Sequence, residues 1–281
     1  MRAHGYAPSL RVRRPIWFRV RLADTLPHVP RSLTTRVSGW YAGFGRLGHF
    51  LADMARGLRD VHTWPAQTVA QLLRIGVNSV PIALFVAAFT GVVLALQASY
   101  TFTGAVPLYF VGTLVGKTIM LELGPVLTGL VLAGRVGANT AAELGTMRVT
   151  EQVDALETLA YDPFAYLVIP RVVASTVMFP VVVALAMAMG VLTGLVTAVN
   201  LLDLSTVEFV RGLKLFYQFK DIWFGLVKSM SFGFAIGVVG CMKGLAVRRG
   251  AQEVGRATTD AVVLGAKLIL VLDAVWAVLL L

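Results

Sequence analysis

Glu122, Lys228, Lys267 and Asp273 are ionisable residues set in runs that are otherwise fit for hydrocarbon. Charged side chains are costly at such depth, so they face protein, water or one another. Lys228 and Asp273 fall near the middle of two consecutive apolar runs and can pair between them. Glu122 stands beside Gly124-Pro125, a helix breaker, where it can join that pair or meet a polar head group. Such a set can fix helix register as an ion pair, or it can relay ions. Arg135, in Ala-Gly-Arg-Val-Gly, can satisfy carbonyls near a broken helix.

A second set is acidic. Glu151, Asp154 and Glu157 form one stripe, and Thr150, Val153, Leu156 and Leu159 or Ala160 form an apolar one. Asp162-Pro163 stops the helix that this spacing predicts. A short amphipathic helix between two long apolar segments offers anionic and apolar contacts to a socket on a soluble partner. The plain alternative is a solvated loop helix. One motif misleads: Gly112-Thr-Leu-Val-Gly116-Lys117-Thr118 has three residues between its glycines, where a phosphate-binding loop needs four, and no strand pattern precedes it. No other stretch offers a nucleotide site, so ATP hydrolysis is expected on another chain. The single cysteine, Cys241, excludes an internal disulfide and a cysteine metal cluster, and no metal site is expected.

The elements that must hold these residues are membrane helices. Of 281 residues, 57% are hydrophobic and only 14% charged, far from soluble usage. The net charge of +10 is concentrated early, with twelve arginines before residue 75. It reads as charge beside anionic lipid, not as a nucleic-acid surface. Residues 1–37 form a basic arm without periodicity. From 38 to 60, Trp40, Phe44, Leu47, Leu51, Met54 and Leu58 recur at helical spacing and predict an interfacial amphipathic helix; packing on a protein surface is the alternative. Five spans are expected in 77–281: 77–100; a short piece from 108 followed by 125–144 beyond the Gly-Pro break; one within 164–202; 222–245; and 261–281. Small residues four apart, Gly112/Gly116, Gly190/Gly194, Gly233/Gly237 and Gly240/Gly244, let helices approach closely. The arginines put the N-terminus, residues 145–163 and a basic loop at 247–260 in the cytoplasm, and 101–107, 203–221 and the C-terminus outside.

The stretch LELGPVLTGLVLAGRVGANTAAELGTMRVTEQVDALETLAYDPFAYLVIPR resembles the signature region of the MlaE/YrbE family of ABC-transporter permeases. VVLALQ (92–97), LVKS (226–229), GCMKGLAVRRG (240–250) and VGRATTDAVV (254–263) resemble it too, so the likeness runs from about residue 38 to the end. It implies an all-α integral membrane protein with an interfacial helix, five transmembrane helices and a cytoplasmic coupling helix between the second and third. It implies a bacterial inner-membrane location and lipid movement, typically of glycerophospholipid. The partners it implies are a second permease copy, a cytoplasmic ABC ATPase dimer that holds ATP and Mg, an outer ring of MCE-domain protein and a STAS-like regulator. This chain would bind no cofactor itself.

By the same resemblance the helix around 148–160, with Arg148, Glu151, Asp154, Leu156 and Glu157, would dock on the ATPase. Glu122 matches the family's acid after the first span; the basic residue that precedes that acid in the family is Leu121 here. A lipid cavity between two copies would be lined by the first two spans, with Leu94, Leu96, Gln97 and Tyr100 expected on its wall and Glu122 near it. Residue chemistry alone leaves two rivals. One is an ion-coupled secondary transporter or channel with Glu122, Lys228 and Asp273 as a relay, although no inverted repeat is visible. The other is a non-transporting membrane scaffold.

Overall fold

Hydrocarbon offers a backbone no hydrogen-bond partner, so each apolar run must pair its own N–H and C=O groups and becomes a helix. The computed structural model describes residues 45, 47–61, 63–101, 107–202 and 204–280. Five helices are long and apolar enough to span a bilayer: Trp64–Thr101 (α2), Phe110–Val149 (α3), Phe164–Leu201 (α5), Phe219–Leu245 (α7) and Gly250–Leu280 (α8). A helix at 47–57 (α1) precedes them, Gln152–Thr158 (α4) joins α3 to α5, and Thr206–Leu215 (α6) joins α5 to α7. The architecture is therefore an all-α, multi-pass membrane protein.

Several boundaries differ from the expected ones, each for a local reason. The first span begins at Trp64, not Val77, because the amphipathic segment Trp64–Gly76 runs straight into it. Pro81 lacks the N–H that Val77 O needs, and Val80 N–H takes that carbonyl instead, tightening Val77–Ser79 into a 3₁₀ turn. Gly124-Pro125 does not separate two pieces. α3 passes through it on a π turn, Ile119–Leu123, and makes a second at Ala133–Gly137. At forty residues α3 is about 60 Å long, twice the ~30 Å of a hydrocarbon core. The basic loop is shorter than 247–260, since α8 already starts at Gly250.

The outer segment 203–221 holds an unforeseen helix, α6. Ser205 caps it: its hydroxyl accepts from Glu208 N, and the Glu208 carboxylate accepts from Ser205 N. These bonds hold the Glu208 carboxyl below its ordinary value. The cap therefore acts at neutral pH and is lost as pH falls through that lowered value.

Of the 38–60 helix, Trp40, Phe44 and Arg46 lie outside the described residues, as does the arm 1–37. In the described part of α1, Phe50 and Met54 are buried against Val168, Ile169 and Val172 of α5, and the Phe50 ring meets Phe164 edge-on at 5.4 Å.

Small residues set the helix crossings. Gly91 of α2 lies on Gly190 of α5 so closely that a Cβ at Gly91 would clash with Gly190 O, and Thr193 Oγ1 donates to Ala88 O across the same crossing (2.9 Å). Gly233 and Gly237 of α7 meet Ser175 of α5 in the same way. Replacing Gly91 with Leu should separate α2 from α5. We expect a loss of at least about 1–3 kcal/mol, the cost of overpacking, read as a lower melting temperature in detergent and lower yield of monodisperse protein. Unchanged melting would mean that this crossing does not hold the bundle.

Candidate functional site

Pro125 has no N–H, and the helix before it widens into the π turn Ile119–Leu123, where Gly124 N–H bonds Ile119 O. Lys228 of α7 reaches this turn. Its ammonium donates to Leu121 O (3.3 Å) and to Glu122 Oε2 (2.8 Å), and lies against Asp273 Oδ1 of α8 as an ion pair outside hydrogen-bonding angle. One ammonium on α7 thus holds α3 by two hydrogen bonds and α8 by charge. Lys228 is wholly buried, Asp273 is about a quarter exposed and Glu122 is 41% exposed. Its surroundings are aromatic: Phe224 lies beneath the ammonium, Trp276 crosses Phe224 edge-on, and Trp276 Nε1 donates to Ser231 Oγ (3.0 Å). A single cation between two carboxylates leaves the cluster formally one negative charge in excess, and its open side is Glu122.

The other predicted positions are distributed as follows. Leu96, Gln97 and Tyr100 lie on an exposed face of α2, with Tyr100 at 86% exposure. Leu94 does not share it. It packs inward with Ala95, Ala98, Val111 and Val115, because two residues along a helix turn the side chain by about 200°. Lys267 is exposed on the outer face of α8, opposite the buried stripe Ala261, Gly265 and Ile269. It sits about 10 Å along the axis from Asp260, and side chains lean toward the helix N-terminus, so it can extend toward that end of the bundle.

α4 is shorter than the predicted 148–160. Arg148 belongs to the last turn of α3 and forms an ion pair with Asp154, while Glu151 makes the corner in the left-handed region (φ 59°). Val153 is buried and Leu156 half-buried, tying α4 to the bundle. Glu151 and Glu157 are exposed, and so is Leu159, which leaves the predicted apolar stripe for solvent. Beside α4 lies a charged node that sequence reasoning missed. Glu143 of α3 accepts from Arg74 of α2 (2.8 Å) and pairs with Arg171 of α5 (3.2 Å). Arg171 is buried and also donates to Leu167 O (2.8 Å). The available signal was the placement of Glu143 and Arg171 at facing ends of consecutive spans.

Removing Lys228 should strand two carboxylates in an apolar site. Lys228→Met is expected to cost about 3–5 kcal/mol, and adding Asp273→Asn should restore part of it, so that the two changes are not additive. Glu122→Gln should cost less, because Glu122 is partly open. Melting temperatures of the three single variants and the double variant in detergent test this; strictly additive losses would show that Lys228 and Asp273 do not interact.

Residues 68–279 match the protein family described as Permease MlaE. A probable ABC transporter permease protein of Rickettsia prowazekii is 43% identical over 203 residues, covering 72% of this chain and 78% of its own length. A probable ABC transporter permease protein of Synechocystis is 41% identical over 196 residues, 70% of this chain and 74% of its own. The chloroplastic protein TRIGALACTOSYLDIACYLGLYCEROL 1 of Arabidopsis thaliana is 34% identical over 208 residues, 74% of this chain and 59% of its own. The match spans the Lys228 cluster, α4 and all but the first residues of the five spans, and the chain belongs to the MlaE permease family, as the membrane-embedded permease subunit of an ABC transporter whose ATP hydrolysis resides on a separate subunit.

Proposed function

We propose that this permease moves phospholipid between a bacterial inner membrane and a carrier of the MCE-domain type on the outer side. The observation that carries the reading is the exposed face of α2. Phe85, Phe89, Val93, Leu96 and Tyr100 follow one another at three- and four-residue spacing and are 41–86% exposed. Such a face binds a second permease copy, acyl chains or both. Glu122 supplies a partly open carboxylate for the polar end of a lipid. The Arabidopsis relative supports a lipid cargo, since it carries the name of a diacylglycerol lipid.

In this reading two permease copies face each other across an apolar cavity. A pair of ABC ATPases holding ATP and Mg docks at α4, and a STAS-like regulator associates with them. The end bearing Arg148, Arg171, Arg248 and Arg249 is cytoplasmic by the positive-inside rule, and the C-terminus lies outside. Closure of the ATPases displaces α4, narrows the cavity and expels its lipid. The rival reading, an ion-coupled relay through Glu122, Lys228 and Asp273, draws support from the ionisable cluster itself. It predicts that the Lys228→Met/Asp273→Asn protein stays inactive however well it folds.

Reconstitution with the ATPase in liposomes tests the proposal. Transfer of fluorescent phospholipid to an acceptor should require ATP and should stop with a hydrolysis-deficient ATPase. Transfer driven by an ion gradient without ATP would overturn it. Docking has its own test. Glu157→Lys with Leu159→Asp alters two exposed side chains of the α4 region and should weaken ATPase association by about 2 kcal/mol or more, roughly thirtyfold, as for an interface hot spot. Undiminished co-purification of the ATPase with the doubly substituted, well-folded permease would rule α4 out as the dock.

A further inference from the structure

A cavity of about 720 Å³ opens between α2 and α3 beside α4, at the Glu143 end of the bundle. Its wall sets two arginines and one glutamate among apolar and neutral polar side chains. Arg74 and Glu143 line it as a pair (2.8 Å), with buried Arg171 behind Glu143. Arg135, from the second π turn of α3, also lines it, and its guanidinium has no ion pair or hydrogen bond among the described residues. Two guanidinium groups, of Arg74 and Arg135, thus line the cavity with one carboxylate, which Arg171 pairs from behind. Ser79 lines the same cavity; its hydroxyl is wholly buried and without a hydrogen-bond partner. A buried hydroxyl left unpaired in an apolar setting is costly unless something comes to it. The amides of Asn139 and Gln152 stand at the same wall.

This lining selects an anion with several acceptor oxygens. Guanidinium forks pair with phosphate in two-point fashion, and hydroxyl and amide groups add neutral donors. The hydrocarbon side of the ligand is set by α2. Arg74, Asn78, Ile82, Phe85, Phe89, Val93, Leu96 and Tyr100 recur at three- and four-residue spacing, so one helical face runs from the cavity into the apolar span. All of these residues are exposed to some degree. A free phosphate would use the cavity and leave that track empty, whereas a phospholipid uses both.

We propose that this cavity is a head-group site for a phospholipid of the leaflet on the α4 side, with the phosphate between Arg135, Arg74 and Ser79 and an acyl chain along the exposed face of α2. It rests on the lipid-transport reading for the identity of its ligand, and assigns that reading a point where lipid is held before or after it crosses. The 3₁₀ turn at Val77–Ser79 and the π turn at Ala133–Gly137 bring Ser79 and Arg135 to the same wall. Both are departures from regular helix, of the kind that recurs at functional positions.

Native mass spectrometry of the full-length chain in mild detergent, titrated with phosphatidylglycerol, dioleoylglycerol or inorganic phosphate, tests this. Wild type should retain phosphatidylglycerol. Arg135→Gln should weaken that retention about tenfold, the loss of one charge-assisted hydrogen bond. Arg135→Lys should retain most of it, and dioleoylglycerol, which lacks the phosphate, should bind weakly and indifferently to residue 135. Asn139→Asp, an exposed position, brings a negative charge to the wall and should weaken phosphatidylglycerol binding even where Arg135→Gln fails to fold, as melting temperature will show. Equal phosphatidylglycerol binding by wild type and a folded Arg135→Gln or Asn139→Asp variant overturns the site. Displacement of the lipid by millimolar inorganic phosphate, with no lipid preference, overturns the lipid as its ligand. If ATP-driven transfer occurs but binding ignores Arg135, the head-group site fails and the transport reading stands. If binding depends on Arg135 but no ATP-driven transfer is found, the site stands and the transport reading fails.

Discussion

In hydrocarbon a carbonyl that loses its N–H finds no water to replace it, and Pro125 leaves the π turn before it one N–H short. The rest of the central bundle is arranged around that fact. A lysine can reach a carbonyl of that turn, Leu121 O, only if its charge is met, and Glu122 and Asp273 meet it from either side. The ammonium then holds Leu121 O and Glu122 by hydrogen bonds and Asp273 by charge. What begins as a defect in one helix becomes the point where α3, α7 and α8 are fixed in register. Replacing such a cluster with well-packed apolar side chains could be energetically neutral. Its retention is best explained by register and by Glu122, the one member that opens outward.

The packing between helices follows from the same solvent. Lipid tails are as apolar as leucine, so helices gain little by hiding leucines from them and gain more from close van der Waals contact. Glycines therefore collect at the crossings of α2 with α5, α5 with α7, and α3 with α7. The large side chains this displaces end on the outer faces. Phe85, Phe89 and Val93 on α2, and Leu270, Val271 and Val278 on α8, are all more than half exposed. For a soluble protein such faces would be a liability. For a membrane-embedded permease subunit they are surface that the bilayer can cover.

Sequence periodicity revealed the number of spans, the small-residue crossings, the cluster formed by Lys228 and its two acids, and the position of α4. These are properties of spacing within one segment, or of charges too costly to stand alone. Other features depend on distances between segments. The Arg74–Glu143–Arg171 node joins α2, α3 and α5, and each member taken singly looks like ordinary charge at a membrane boundary. The inward turn of Leu94 is a matter of helical phase, which a run rich in apolar residues leaves undetermined. α6 was legible in principle, because Ser205 followed by Glu208 is a capping box, but a polar segment between two spans was read only as a connection. The starts of α2 and α8 were set too late for a related reason: each helix begins in polar sequence outside the hydrocarbon, where hydropathy is silent.

The length of α3 bears on how the two ends of the molecule can communicate. Arg148, beside α4, Glu143 at the charged node, Arg135 at the cavity and Glu122 at the Lys228 cluster all belong to this one helix. A displacement of α4 acts first on Arg148, through its pair with Asp154, and then along α3. A straight α-helix would carry it as a rigid rod. α3 is interrupted by π turns at Ala133–Gly137 and Ile119–Leu123, one at the cavity and one at the cluster. A π turn has one hydrogen bond out of step, and helices bend at such points at little cost. The segment Gly124–Leu132 between them is gripped by Phe232 and Ile269 at Gly129. Motion entering from α4 is thus expected to be absorbed by rotation at Arg135 before it reaches Glu122, and to reach Glu122 only when the second turn also yields. Two π turns flanking a held segment allow the helix to bend separately at its two polar sites, which a permease can use if one end is to open as the other closes.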